Sequence, residues 1–243
     1  DCVLITGDMT NDGTQAQLER FWGIVSELVP DKPVFVVTGN HDYEKNPLPW
    51  VFQGICEYPF LQQRLLERAE ALGIPVQTDE SGAYAARMGD TAIIGLNAAS
   101  HWRRFKFPEN AQLHFLEGYL RESDAKLHLI LCHAPLANHR PYKEKGEAPY
   151  LARDKQLQQI LESSGKCFVF LSGHTHYPPT VEWDEARCNL YINNGSVCPT
   201  TIGGDPARLQ QGNITLLTLD ENRIGVEIRG IHTGVVFHQQ EYR

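Results

Sequence analysis

Four short apolar runs, each ending in residues that bind metal ions, constrain this chain more than any other feature. The runs read VLITGD, VFVVTGNHD, HLILCH and FVFLSGHTH, and they end at Asp8, at residues 40–42, at His133, and at His174 with His176. Runs of this length and composition are typical of buried strands. In an open α/β sheet, loops at the carboxyl ends of separate strands converge although they lie far apart in sequence. The pattern therefore predicts a single metal site at one end of a sheet.

The rest of the chain reads as an α/β fold. Through about residue 171, apolar strands alternate with amphipathic segments of helical length, which predicts a mostly parallel or mixed sheet flanked by helices. One helix is predicted between the capping residue Thr14 and Pro30, and others at 59–72, 109–122 and 154–163. Strands are predicted at 34–37, 84–88, 92–96, 127–131 and 168–171. Four later runs, 181–183, 190–193, 214–219 and 224–228, predict a second, partly antiparallel sheet packed on the first, within one domain over residues 1–243.

Charge, hydropathy and cysteine usage narrow the possible partners. The chain has 22 Lys and Arg against 30 Asp and Glu, so its formal net charge is 22 − 30 = −8. This acidic balance argues against a nucleic-acid polymer as partner, because phosphate backbones bind a basic face. No apolar stretch reaches the roughly 18 residues of a membrane span, so no membrane partner is expected. The six cysteines form no C-x-x-C pair, which favours reduced thiols over disulfides or zinc ligands and predicts a cytoplasmic protein; the oligomeric state is open.

The residues that end the first two runs have the right chemistry for a metal site. Asp8 follows Gly7 and offers two carboxylate oxygens that can bridge two cations, although an Asp here can also cap a turn. Asn40 offers a neutral carbonyl oxygen, and the adjacent His41 would then stand beside the substrate. Asp42 is expected to orient that imidazole. Taken alone, the run G-N-H-D also fits an ordinary Asn/Gly turn.

The G-H-T-H run is the sharpest local motif. In extended backbone, His174 and His176 point the same way and Thr175 points to the other face, so two imidazoles can serve one ion or two adjacent ions. The remaining isolated histidines are expected to be ordinary core or surface residues: His114, His128, His232 and His238.

Three loops are candidates for substrate contact, each with a simpler interpretation beside it. Segment 43–60, rich in aromatic residues and proline, could form an apolar lip or could be a packing insertion. Two basic patches could bind an anionic substrate or could be solvated loops. They consist of His101, Arg103, Arg104 and Lys106, and of His139, Arg140, Lys143 and Lys145.

These motifs together resemble those of the calcineurin-like metallophosphoesterase superfamily. The matching residues are, in order, Gly7-Asp8, Gly39-Asn40-His41-Asp42, His133 and Gly173-His174-Thr175-His176. The surroundings VLITGDMTNDG and the short GNHD block resemble class III cyclic-nucleotide and glycerophosphodiester phosphodiesterases more than protein phosphatases. Purple acid phosphatases are disfavoured, because the Tyr that they place shortly after the GD pair has no counterpart in GDMTND. The resemblance implies a two-sheet β-sandwich flanked by helices (αββα) with a dinuclear metal site.

The resemblance also implies a role for each matched residue. Asp8 would bridge two metals, and His176 would belong to one of them. Asn40, His133 and His174 would complete the site of the other metal. His41 would stabilise or protonate the leaving oxygen. The Asp-x-His block on the family's opening strand has no match in this sequence, so one ligand set is complete and the other is half present, and an upstream βα unit is expected.

The implied activity is hydrolysis of phosphoester bonds by attack of a metal-bound hydroxide, with small phosphodiesters as substrates. The ligands, rich in oxygen and nitrogen, suit Mn, Fe, Zn or Co, and the resemblance implies Mn and Fe first. A serine or thiol hydrolase is disfavoured, because the sequence has no G-x-S-x-G elbow. A non-catalytic binding scaffold of the same fold, with an incomplete metal site, remains the open alternative.

Overall fold

A large mixed sheet forms the first layer of the protein, and smaller sheets form the second. The computed structural model describes residues 1–43, 58–97, 99–101, 104–106, 110–139, 154–198, 200–201, 209–210 and 212–243. The helices are α1 (Gln15–Leu28), α2 (Tyr58–Ala71), α3 (Ala111–Glu122) and α4 (Asp154–Ser163). The strands are β1 (Val3–Ile5), β2 (Val34–Val36), β3 (Val76–Thr78), β4 (Tyr84–Met88), β5 (Thr91–Leu96), β6 (Ala99–His101), β7 (Arg104–Lys106), β8 (Leu127–Cys132), β9 (Phe168–Ser172), β10 (Thr180–Asp184), β11 (Asn189–Asn193), β12 (Thr200–Thr201), β13 (Leu209–Gln210), β14 (Asn213–Asp220), β15 (Arg223–Gly230) and β16 (Val236–Tyr242).

The large sheet has seven strands in the order β10-β11-β9-β8-β5-β4-β3. Its centre is parallel, because β5, β8, β9 and β11 run in one direction, while β3, β4 and β10 join as antiparallel neighbours. β9 is buried at every position and β8 at all but its first. Strands buried on both faces read as continuous apolar runs, which is why both were visible in the sequence.

The second layer packs against one face of the large sheet. It contains the parallel pair β1-β2 and the antiparallel sheet β14-β15-β16. Phe35 of β2 and Val226 of β15 share an apolar core with Leu129 and Val169 of the large sheet, and α1 and α2 add Leu18, Leu61 and Leu65 to it. Helices α3 and α4 cover the opposite face of the large sheet through Leu113, Leu116, Leu157 and Leu161. The predicted two-sheet sandwich flanked by helices is therefore confirmed. The assignment of runs 181–183 and 190–193 to the second sheet was wrong, because β10 and β11 pair with β9 and extend the large sheet.

The element predictions are confirmed to within two residues at most boundaries. Thr14 caps α1 as expected, since its hydroxyl accepts the backbone N–H of Gln17 at 3.4 Å. Gln17, however, does not close a capping box; its side-chain oxygen accepts the backbone N–H groups of Asn11 and Asp12 and so orders the loop after β1. A turn after Asp220 joins β14 to β15 as an antiparallel hairpin.

The outer strands of the β1-β2 pair and of the β14-β15-β16 sheet each have one edge without a ladder partner among the described residues. β1 pairs with β2 alone, and β14 pairs with β15 alone. Ile214 and Leu216 on β14 are 43% and 46% exposed. The upstream strand expected from the sequence stays a prediction.

In the part of the chain that the structure describes, no helix is both long and apolar enough to span a bilayer.

Candidate metal centre

Four side chains from four different loops meet at one point beyond the carboxyl ends of β1, β2, β8 and β9. The Nε2 atom of His133 lies 3.3 Å from Asp8 Oδ2 and 3.2 Å from Asn40 Oδ1. The Nδ1 atom of His174 lies 3.0 Å from Asn40 Oδ1 and 3.2 Å from His133 Nε2. Among the described residues, Asp8, His133 and His174 form the group of acidic, His and Cys side chains whose ligand atoms all lie within 4.8 Å of one another. The convergence expected from the sequence is therefore present.

The tautomer of His133 shows what this arrangement can hold. Its Nδ1 atom lies 2.6 Å from the carbonyl oxygen of Thr6, so Nδ1 carries the proton and donates it there. In the neutral imidazole, Nε2 then has a lone pair and no proton. That lone pair faces the carboxylate of Asp8, the amide oxygen of Asn40 and the Nδ1 atom of His174. Several lone pairs directed at one point fit a cation, and a carbonyl partner on the second nitrogen is the usual support of a metal-binding histidine.

Electrostatics of the centre favour the ligand forms of Asp8 and His174 but not of His133, because burial is outweighed there by the hydrogen bond and charge of Asp8, which raise the pKa of His133. Burial opposes ionisation of Asp8, but the hydrogen bond and charge of His133 and the N–H of His41 outweigh burial and lower the pKa of Asp8 to about 2. Burial and the neighbouring His133 lower the pKa of His174 to about 3. At neutral pH Asp8 is therefore anionic and His174 is neutral, which are the states in which each binds a metal.

The backbone is left-handed at several of these residues. The φ angles are 55° at Asp8, 66° at His174 and 53° at His176. Such conformations cost of order 1–3 kcal/mol for residues other than glycine and cluster at functional sites. They correct the expectation that G-H-T-H is extended: the N–H of Thr175 donates to the carbonyl of Gly173 at 2.8 Å, so the segment turns. His176 consequently lies outside the group that contains His174.

Two glycines allow the loops to approach each other. A Cβ atom on Gly7 would lie 2.7 Å from Nδ1 of His133, and Gly7 has a φ of +99°. A Cβ atom on Gly39 would lie 2.5 Å from the backbone nitrogen of Asp8 and closer still to its carboxylate. Contacts this short do not occur in folded proteins, so both positions require glycine.

Asp42 has a different role from the one expected. Its carboxylate accepts the backbone N–H groups of Gly39 at 2.8 Å, Asp8 at 2.9 Å and Thr10 at 3.0 Å, and the Thr10 hydroxyl at 3.1 Å. Burial, followed by the charge of Asp8, raises the pKa of Asp42, although these hydrogen bonds oppose the rise. The imidazole of His41 instead donates from Nδ1 to the carbonyl oxygen of Asn11 at 3.0 Å. Asn11 therefore orients His41, and Asp42 joins the loops after β1 and β2.

Two buried asparagines that the sequence analysis did not single out hold the metal-centre loops. The side-chain oxygen of Asn97 accepts the N–H of Thr38 at 2.8 Å, one residue before Gly39. Asn193 donates to the carbonyl of Gly173 at 2.8 Å and accepts the hydroxyl of Thr175 at 3.0 Å. Each asparagine follows or ends a buried strand, which is the only signal in the sequence that could have identified it.

The expected substrate residues are only partly described. Arg103 and Arg140 lie outside the described residues, as does most of segment 43–60. His101, Arg104 and Lys106 lie on the hairpin β6-β7, whose side chains are also outside the description. His139 is described, and its ring stacks on Tyr191 with 3.6 Å between centroids while Nδ1 donates to Glu182 at 2.9 Å.

The sequence and the fold together identify the class of this protein. The family model of the calcineurin-like phosphoesterases matches residues 1–178. Because this match covers well over half of the 243 residues, the chain belongs to that family. The resemblance inferred from the motifs is therefore confirmed, and members of this family hydrolyse phosphoesters with divalent metals.

Individual relatives are distant. A protein of Arcobacter nitrofigilis described as a probable glycerophosphodiester phosphodiesterase, GpdQ, is 24% identical over 185 residues, which are 76% of this chain and 60% of the relative. The structure of PhoD shares the fold with a TM-score of 0.51 and 12% identity, covering 87% of this chain and 52% of that one. A single mutant of Vps29 from Entamoeba histolytica matches with a TM-score of 0.44 and 12% identity, over 100% of this chain and 83% of its own. The chain thus spans only about 60% of the length of the curated relative.

Proposed function

We propose that this protein hydrolyses phosphoester bonds in a metal-dependent reaction and that small phosphodiesters are its preferred substrates. One observation carries the proposal. Ligand atoms of Asp8, Asn40, His133 and His174 meet with separations of 3.0–3.3 Å between neighbouring pairs. Family membership supports phosphoester hydrolysis in general, and the name of the GpdQ relative supports a diester.

The donor set fits a first-row transition metal. Two imidazole nitrogens, one carboxylate and one amide oxygen would hold it, without any thiolate, which suits Mn, Fe, Zn or Co. When bound, such an ion polarises the phosphoryl oxygens and activates water as a nucleophile. Among these metals we favour manganese and iron, because the resemblance to the family implies them. His176 would provide a ligand for a second ion.

The residues of the chain prepare the reaction in two ways. Asp42 binds the N–H groups of Asp8 and Gly39, so it fixes the Asp8 carboxylate relative to Asn40. His41 donates from Nδ1 to the carbonyl oxygen of Asn11, so Nε2 carries a proton that it can transfer only when the ring is in its imidazolium form. We assign His41 to protonation of the leaving oxygen, because an anchored imidazole is well placed to act as a general acid.

The two basic patches are the candidates for substrate contact. We retain His101, Arg103, Arg104 and Arg140 as candidates for binding the phosphate or its substituents. For His139 the contacts with Glu182 and Tyr191 favour a structural role instead. A cytoplasmic location, and a lack of nucleic-acid and membrane partners, stay predictions from composition.

A second candidate function is metal-dependent or metal-free binding without catalysis. It is favoured by the single group of metal-binding side chains found within the described residues. A protein with one complete ligand set could retain the fold and one ion but lack the second cation that neutralises charge in the transition state.

Hydrolysis of generic esters by reconstituted protein tests these proposals. Metal-depleted protein receives Mn²⁺, Fe²⁺, Zn²⁺ or Co²⁺ separately, and hydrolysis of bis(p-nitrophenyl) phosphate is compared with that of p-nitrophenyl phosphate. We expect metal-dependent turnover with faster diester hydrolysis. Asp8→Asn should reduce metal content and rate together, whereas Asp124→Asn, at a side chain that is 95% exposed, should change neither.

Each other outcome has a distinct meaning. Binding of metal without turnover of either ester would support the scaffold. A clear preference for the monoester would overturn the diester assignment while leaving metal-dependent hydrolysis intact.

A further inference from the structure

Two cysteines lie side by side at the end of the large sheet opposite the metal centre. Cys167 directly precedes β9 and Cys188 directly precedes β11. These strands pair in parallel, and their first paired residues are Phe168 and Asn189. Each cysteine therefore lies one residue before the first paired residue of its strand. Neighbouring strands lie about 4.8 Å apart. Residues next to a matched pair at this spacing come near the range of roughly 4.4–6.8 Å between Cα atoms that a disulfide requires. The backbone of Cys188 has a φ of 56° and so turns out of the strand conformation at this point.

The two thiols are close enough to influence each other. Both are half-buried and reduced. Burial, followed by the interaction with the Cys167 thiol, raises the pKa of Cys188 to about 12. The backbone of Cys167 is held in place because its carbonyl accepts the N–H of His128 at 3.1 Å and the Nδ1–H of the same residue at 3.3 Å. Partial exposure of both side chains leaves them within reach of a small reagent.

We propose that Cys167 and Cys188 form a reversible disulfide by exchange with a small-molecule disulfide of the glutathione type. The Cys167 thiolate attacks one sulfur of the reagent, whose S–S bond breaks and releases one small thiol. Cys188 then loses its proton to solvent and attacks the Cys167 sulfur of the mixed disulfide, which releases the second small thiol. The protein loses two electrons and two protons, and the small disulfide takes them up to become two thiols.

Cys167 is assigned the first attack because Cys188 retains its proton at neutral pH. Once Cys167 is in the mixed disulfide, its thiol no longer raises the pKa of Cys188, so the second step becomes easier. The order of the two cysteines thus follows from the burial of Cys188 together with its contact with the Cys167 thiol.

The disulfide would tie β9 to the hairpin β10-β11 without reaching the metal centre. β9 has five residues and separates Cys167 from the G-H-T-H loop by roughly 17 Å. We therefore expect oxidation to raise the melting temperature by about 5 °C or more and to leave metal content unchanged.

The direct test is peptide mass spectrometry after native oxidation. Folded protein is incubated with oxidised glutathione, free thiols are blocked with N-ethylmaleimide, and non-reduced peptides are analysed. We expect a cross-linked peptide pair that contains Cys167 and Cys188, lighter by two hydrogens than the separate peptides, and its loss on treatment with dithiothreitol. The exposed Cys198 serves as an internal control and should form only a mixed disulfide with glutathione.

Single variants separate the roles of the two thiols. Cys188→Ser should leave Cys167 as a stable glutathione adduct, whereas Cys167→Ser should leave Cys188 largely unmodified. Neither variant should gain in melting temperature on oxidation. The proposal is overturned if wild-type protein accumulates separate adducts at both cysteines, or if Cys198 reacts while Cys167 and Cys188 remain reduced.

Discussion

Replacement of the buried Asp42 tests whether its carboxylate joins the two loops that carry Asp8 and Asn40. In Asp42→Asn, one carboxylate oxygen becomes an NH₂ group. If that group replaces Oδ1, the N–H of Thr10 is left without an acceptor, while the Thr10 hydroxyl can turn to accept. If the NH₂ group replaces Oδ2, the N–H groups of Asp8 and Gly39 both lose their acceptor. The amide will adopt the first of these orientations, which leaves only the N–H of Thr10 without a hydrogen-bond acceptor. The expected loss is therefore about 1–3 kcal/mol of unfolding free energy.

Asp42→Ala removes all three acceptor contacts to backbone N–H groups and should cost at least about 3 kcal/mol. Urea unfolding followed by tryptophan fluorescence, with a chelator present, measures both losses without a contribution from metal. The exposed Asp124→Asn is the matched control and should stay within about 0.5 kcal/mol of wild type. Equal losses for the Asn and Ala variants, or losses indistinguishable from the control, would refute the role of the carboxylate as a link between loops.

Three further changes probe the glycine contact, the general acid and a buried histidine. Gly39→Ala places a Cβ atom against Asp8 and should weaken Mn²⁺ binding by at least about tenfold in calorimetry. Gly23→Ala in α1, where a Cβ atom meets nothing within 4 Å, should instead stabilise the protein by roughly 0.5–1 kcal/mol. His41→Ala should spare metal content and slow turnover by roughly 10²–10³, more for an alkoxide than for a nitrophenolate leaving group; loss of metal at an unchanged rate would contradict this role. Burial lowers the pKa of His128, so the folded state binds fewer protons than the unfolded state, and stability should fall as the pH drops below about 6.5. In urea unfolding between about pH 5.5 and 7.5, His128→Gln should make this slope shallower by up to about 1.4 kcal/mol per pH unit, and an unchanged slope would exclude the histidine as its source.

The fold was predictable wherever burial imposed an apolar pattern on the sequence. β8 and β9 are buried on both faces and β2 is buried along its length, so the residues of these strands form largely apolar runs. β3 and β16 escaped prediction, because each is an edge strand with several exposed polar residues. A strand of this kind is defined by its backbone partner rather than by its own side chains.

The sequence identified the side chains of the candidate site but not the groups that orient them. Side chains such as Asp8 and His133 appear in the sequence as unusual endings of apolar runs. The carbonyl oxygens of Thr6 and Asn11, which orient His133 and His41, are backbone atoms that every residue possesses. These backbone atoms have no sequence signature. The sequence analysis therefore assigned the orientation of His41 to Asp42, which was wrong. The left-handed backbone at His174 was hidden for the same reason, since histidine gives no indication of positive φ.

The centre consists of two pairs of loops that are joined before any ion binds. Asp42 and the close approach of Gly39 to Asp8 hold the loops after β1 and β2 together. The loops after β8 and β9 are joined by the N–H of Gly173, which donates to the carbonyl of His133 at 2.9 Å. The ring of His133 links the two pairs of loops, because it contacts Thr6 in the loop after β1 and Asn40 in the loop after β2. These contacts are all within the protein, so they hold the ligand-bearing loops together without a contribution from the metal. Binding free energy is therefore available for holding the ion rather than for folding the loops around it.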